Sequence, residues 1–164
     1  MRFSAAALLL PLSVAACQPG SVQQALGSES GTTGQALERA PSGLEQKVLT
    51  VRTTAGQLHR FTVEVARSPQ EQEQGLMNRQ SLAPDRGMIF PYAPPQPVSF
   101  WMKNTYIPLD MLFIRPDNSI ARVETAVPLN LDPVPSLEPI SAVLEIPGGR
   151  AAELGIKPGD RVSW

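Results

Sequence analysis

The chain has 164 residues, with 14 Lys and Arg against 15 Asp and Glu, a single His, a single Cys and 5% aromatic residues. Near-neutral charge without a basic cluster disfavours nucleic acid as a partner, because binding it depends on several Lys and Arg neutralising phosphates. One cysteine excludes an internal disulfide, so the fold must rest on its hydrophobic core.

Arg2 precedes an apolar run of ten residues from Ala5 to Val14, and the next residues read Ala15-Ala16-Cys17. A positive start, a short apolar stretch and small residues before a cleavage point are the pattern of a secretory signal. The run is too short to cross a bilayer, which needs about 20 helical residues, so it reads as a leader and not a span. The small-small-Cys ending predicts processing before Cys17 and lipidation of its thiol, each buried methylene adding about 0.8 kcal/mol of membrane affinity. The competing reading is a plain secreted protein with a stray cysteine. The expected layout is a lipoprotein signal peptide over 1–16, a flexible tether over 17–46 and a folded domain over 47–164. The tether follows from its Gly, Ser, Gln, Thr and Ala content, which buries too little surface to offset ordering entropy. The protein is accordingly expected to be exported and held to a membrane through Cys17, facing the periplasm. Gln18, where an aspartate would favour inner-membrane retention, favours the outer membrane.

From Lys47 the period changes. Val48, Leu49 and Val51 open a strand, Thr54 to Gln57 supply a turn, and His59, Phe61, Val63 and Val65 alternate with polar residues, which predicts a hairpin with one buried face. Ser68-Pro69-Gln70-Glu71 has the form of a capping box with proline in the first turn, so a short helix is expected from Pro69 to about Leu76. Met88-Ile89-Phe90 starts another strand. Four prolines in the seven positions Pro91 to Pro97 then predict a loop, since proline has no N–H for a ladder. Val98, Phe100 and Met102 alternate as a strand would, and Met111 to Ile114 and Ile120 to Val127 flank the turn Pro116 to Ser119. Ile140 to Ile146 is a further strand. Arg150 to Leu154 can form one helical turn ended by Gly155, and a last strand runs to Trp164. No internal repeat is present. The expected fold class is α+β, mainly β: a compact antiparallel barrel or sandwich of about six or seven short strands with one or two short helices.

The segment Phe100-Trp101-Met102-Lys103-Asn104-Thr105-Tyr106-Ile107-Pro108-Leu109-Asp110-Met111 concentrates polar residues inside an apolar stretch, where a core strand has no energetic reason to carry them. Together with Gly75-Leu76-Met77-Asn78-Arg79, Gly87-Met88-Ile89-Phe90 and Val143-Leu144-Glu145, it resembles the DUF192 family, also catalogued as UPF0127, over Leu49 to Val162. The resemblance implies a small β-rich domain, often exported, with no assigned activity. Members of that family usually carry an arginine in the helix before Gly-Leu-Met, where this chain has Gln72.

Read from the residues, Lys103, Asn104, Thr105 and Asp110 can converge on a polar pocket floored by Trp101, with Glu145 arriving from a neighbouring strand and Arg79 from the turn after the helix. Such a pocket suits a small polar ligand, a sugar or a carboxylated metabolite. The competing reading pairs Lys103 with Asp110 or Glu145 and uses Asn104 and Thr105 to satisfy the turn before Pro108. No catalytic residue, metal ligand or cofactor is assigned. His59 lies on the buried phase of a strand, and no nucleophile, zinc or phosphate-loop motif is present. Two alternatives stand beside the binding or accessory module: a hydrolase-type enzyme using Asp110 and Glu145, and copper held by Met77, Met88, Met102 and Met111 with Trp101 and His59. The segment Ala151 to Asp160 resembles a piece of PDZ domains, without the glycine loop that binds a carboxylate there. No protein partner is legible.

Overall fold

A computed structural model describes residues 42–164. The expected signal peptide, Cys17 and most of the expected tether lie outside the described residues. The last part of that tether differs from the expectation: Ser42 Oγ donates to Glu64 Oε2 at 2.6 Å, and Leu44 packs against buried side chains of the domain.

The hairpin expected at the start is present as β1 (Gln46–Arg52) and β2 (Leu58–Val65), with Leu49 opposite Phe61 and Val51 opposite His59. Helix α1 (Pro69–Gln74) begins as its sequence predicts. Ser68 accepts from the Glu71 N–H, and the Glu71 carboxylate accepts from the N–H groups of Arg67 and Ser68 at 2.7 and 2.8 Å. Gly75, at φ 45°, stops it. The remaining elements are β3 (Arg86–Gln96), β4 (Ser99–Phe100), β5 (Leu109–Ile114), β6 (Ile120–Ala126), β7 (Val134–Pro135), β8 (Ile140–Pro147), α2 (Arg150–Glu153) and β9 (Arg161–Ser163).

Seven strands form one sheet in the order β6-β5-β8-β3-β2-β1-β9, and β4 pairs only with β7. Pairing is antiparallel except between β2 and β3, which run parallel because the crossover through α1 brings the chain back in the same sense. The sheet curls enough for its two edges to touch at one corner: Ser119 bridges to Arg161, the Ile120 N–H reaches the Asp160 carbonyl at 2.8 Å, and the Val162 N–H reaches that of Asn118 at 2.9 Å. The mainly β class with short strands and two short helices is the one the sequence predicts, realised as a curled half-barrel.

Two local expectations are corrected. The proline segment remains part of β3: pairing with β8 runs to Pro91, breaks, and resumes at Gln96 opposite Ile140, so the prolines sit in a register shift where no ladder N–H is needed. The expected strand from Val98 to Lys103 shrinks to Ser99–Phe100, and Trp101 to Pro108 turn instead, with Asn104 at φ 53°.

Both faces of the sheet are covered. One carries Leu49, Val51, Phe61, Val63, Leu112, Leu144 and Ile146. The other carries Met88, Phe90, Met111, Phe113 and Val143, roofed by Leu76 and by Met102 from the turning segment. No helix among the described residues is long and apolar enough to cross a membrane.

Candidate functional site

The strand register places five side chains in one row across the second face. Glu64 on β2 lies beside Met88 on β3, Met88 opposite Glu145 on β8, Glu145 opposite Met111 on β5, and Met111 opposite Glu124 on β6. The outer two glutamates have arginine partners. Arg79 grips Glu64 through Nη1 to Oε1 at 2.6 Å and Nη2 to Oε2 at 2.7 Å, and Arg122 donates to Glu124. Burial alone would raise the Glu64 carboxyl. The hydrogen bonds from Arg79 and Ser42, with the charges of Arg79 and Arg86, outweigh it and hold that carboxyl below its ordinary value.

Glu145, in the middle of the row, is only 4% exposed and has no hydrogen-bond or ionic partner among the described residues. Its carboxyl is pushed up to about 8, and burial is the sole cause. It opens into a cavity of about 300 Å³ between α1, the sheet and the turning segment. Phe90, Tyr92, Phe100 and Trp101 supply its aromatic walls, and Gln72 and Thr105 are among its polar lining. Phe90 and Phe100 meet edge to face with centroids 5.1 Å apart. The Tyr92 phenol is pushed up to about 12, first by burial and then by the nearby Glu145 charge, so it remains a hydrogen-bond donor at neutral pH.

Of the candidates read from sequence, this cavity gathers Trp101, Thr105 and Glu145. Lys103 and Asn104 line an adjoining shallow depression that shares Glu73, Gln74 and Met77 with it, and the Lys103 ammonium lies over the Trp101 ring, 5.2 Å from its centroid. Arg79 borders a second adjoining groove with Ser42, Leu44 and Glu71, which shares Gln74, Gly75 and Met77 with the cavity, and there its charge is already matched by Glu64.

Asp110 lies on the opposite face. It pairs with Ile146, one position out of phase with Met111 and Glu145, and is fully buried. It accepts hydrogen bonds from Thr125 Oγ1 at 2.6 Å, the Gly149 N–H at 2.9 Å and the Ala151 N–H at 2.7 Å, which anchors the start of α2. Two carboxyls on opposite faces of a sheet cannot share a substrate, which corrects the expected convergence of Asp110 with Glu145 and removes the acid-base pair. Lys103 pairs with neither of them.

Met88, Met102 and Met111 are buried packing residues of the second face, whereas His59 faces the other core with its Nε2 unpartnered. Gln72, Tyr92 and Phe100 line the cavity without being among the residues expected from sequence. The alternation Met88, Phe90, Tyr92 is the available signal for two of the walls, masked by the prolines beside it.

Fold and cavity together define a small domain built on a curled sheet, with a buried acid at the base of an aromatic pocket. The chain belongs to the DUF192 family, a family of unknown function: its model, described as an uncharacterized ACR, matches residues 50–164. Two solved structures are similar. A Sinorhizobium meliloti 1021 chain, described provisionally as a transcription regulator, is 45% identical, with 73% of this chain and 94% of that one covered at a TM-score of 0.72. A protein of unknown function from Novosphingobium aromaticivorans DSM 12444 is 46% identical, with 82% and 99% covered at a TM-score of 0.73. No curated protein matches the chain.

Proposed function

We propose that the domain binds a small polar ligand in the cavity over Glu145, and that it does so as a lipoprotein of the cell envelope. The buried, unpartnered Glu145 carboxyl carries the binding reading. Leaving such a group without a hydrogen bond costs stability, and an opening beside it lined by rings and oriented polar groups is where a ligand supplies the missing partner. Thermal-shift screening of the wild-type domain against sugars, amines and small acids tests this, with Glu145→Gln and Trp101→Ala as controls. A hit whose shift disappears in both variants supports the site, and a wild type unmoved by every compound removes it.

The envelope reading rests on the leader-like run from Ala5 to Val14 and the small-small-Cys ending at Cys17. A lipid on Cys17 would tether the domain to a membrane, the outer one favoured by Gln18, facing the periplasm. Replacing Cys17 with Ser should move the protein from the detergent phase to the aqueous phase, and unchanged partitioning would count against the anchor.

A further inference from the structure

The hydrogen-bonding groups of the cavity divide unevenly between donors and acceptors. Gln72 Nε2 donates to the carbonyls of Ala66 at 3.2 Å and Pro91 at 3.1 Å, which engages both amide hydrogens and leaves Oε1 as the available atom. The Thr105 hydroxyl donates to the Lys103 carbonyl at 3.2 Å, leaving its lone pairs. Glu145 adds two carboxyl oxygens, one of them a donor while the carboxyl holds its proton, and the hydrogens left to donate are those of the Tyr92 and Ser99 hydroxyls and one on Gln74 Nε2, whose other contact is the Met77 carbonyl at 3.5 Å. The charges are equally lopsided: among the described residues Glu73 and Glu145 line the cavity, and no Lys or Arg does. In the row across the sheet, Glu64 has Arg79 and Glu124 has Arg122, while the central glutamate has no cation. Aromatic faces attract cations, and the Trp101 ring already carries the Lys103 ammonium.

We propose that the cavity takes a small organic cation with N–H donors, a primary ammonium or a guanidinium, using the Glu145 carboxylate as counter-charge and Trp101 and Tyr92 as aromatic walls. This rests on the ligand-site reading above and names the class of ligand. The other titratable groups around the cavity are Tyr92 from β3, Glu73 from α1 and Lys103 from the turning segment, whose ammonium lies over the Trp101 wall without pairing with Glu145, and the flanking strand β5 presents Met111. Neither Tyr92 nor Glu73 can neutralise a carboxylate. Below pH 8 the Glu145 carboxyl holds its proton, so an entering cation displaces that proton to solvent. Apparent affinity then rises about tenfold for each pH unit up to about 8.

The test is calorimetric titration of the domain with benzylamine, benzyl alcohol and benzoate, at pH 6 and pH 8, in buffers of different ionisation heat. Benzylamine should bind, about tenfold or more tighter than the other two. It should release close to one proton per site at pH 6, and tighten between pH 6 and pH 8. Glu145→Gln should abolish both the preference and the proton release. Gln72→Arg, which places an internal guanidinium in the same cavity, should block benzylamine while the domain stays folded. Benzyl alcohol or benzoate binding as well as benzylamine, with sensitivity to Trp101→Ala, would overturn the cation class and leave the pocket standing. Benzylamine binding unchanged in Glu145→Gln would overturn the role of Glu145. Failure of all three probes at millimolar concentration would overturn the cation class, and the pocket falls with it if the broader screen is also silent.

Discussion

Arg79 reaches back from the segment after α1 to lie end-on against Glu64 near the end of β2, two parallel hydrogen bonds joining guanidinium to carboxylate at 2.6 and 2.7 Å. The Glu64 side chain is 10% exposed and that of Arg79 26%, so water screens the pair only partly. Arg79→Ala leaves the carboxylate without its main partner and should lower the unfolding free energy by about 2 kcal/mol in urea melts at pH 7. Because the folded-state carboxyl is held below its ordinary value, its stabilisation is present above the unfolded pKa and disappears as pH falls through the folded value. Wild type and variant should therefore converge in acid, as pH falls through the lowered Glu64 value.

Glu145 has the opposite sign. A carboxyl raised to about 8 binds its proton more tightly when folded, so its favourable contribution is full below the unfolded value of about 4.5 and is lost as pH rises to 8. The wild type should lose a few kcal/mol across that window, at about 1.4 kcal/mol for each pH unit crossed. Glu145→Gln should be nearly flat and more stable than wild type at pH 8, as read by chemical denaturation at each pH.

Asp110 behaves as a structural anchor. Replacing it with Ala strands the buried N–H of Ala151 and removes partners from Gly149 and Thr125. A loss of about 3 kcal/mol is expected. Hydrogen exchange should accelerate first at 149–154, and once corrected for stability, ligand affinity at the Glu145 cavity should be unaltered.

At Gly87 on β3, an added Cβ would stand 2.4 Å from the Glu145 carbonyl oxygen and 3.1 Å from Ile146 Cγ2. Backbone cannot rotate out of the way as a side chain does, so β3 and β8 must separate locally. Gly87→Ala should cost about 2 kcal/mol and perturb the amide resonances of Met88 and Glu145 more than those of β1.

Much of this architecture is readable from local chemistry. The alternation of Phe61, Val63 and Val65 and the capping box at Ser68 to Glu71 translate directly into β2 and α1, because period and cap are properties of neighbouring residues. The segment Val98 to Met102 alternates equally well, yet Ser99 and Phe100 find only Val134 and Pro135 to pair with. Alternation records burial on one side, and it cannot say whether a partner strand is within reach. Trp101 and Glu145, both singled out from sequence, line the same cavity, whereas the face that Asp110 takes is not legible, because one position of phase against β8 decides between cavity and α2. Arg79 stands out as a functional candidate without its partner, since nothing in the sequence near position 79 points to Glu64. Tyr92 is hidden by the prolines around it, which suggest a loop.

The curled sheet divides its own residues by parity: Leu144 and Ile146 belong to one interior, Val143 and Glu145 to the other. A substitution at Glu145 therefore acts on the cavity, while changes at Leu144 and Ile146 fall on the opposite core. The cavity wall and the opposite core can thus be altered independently along a single strand.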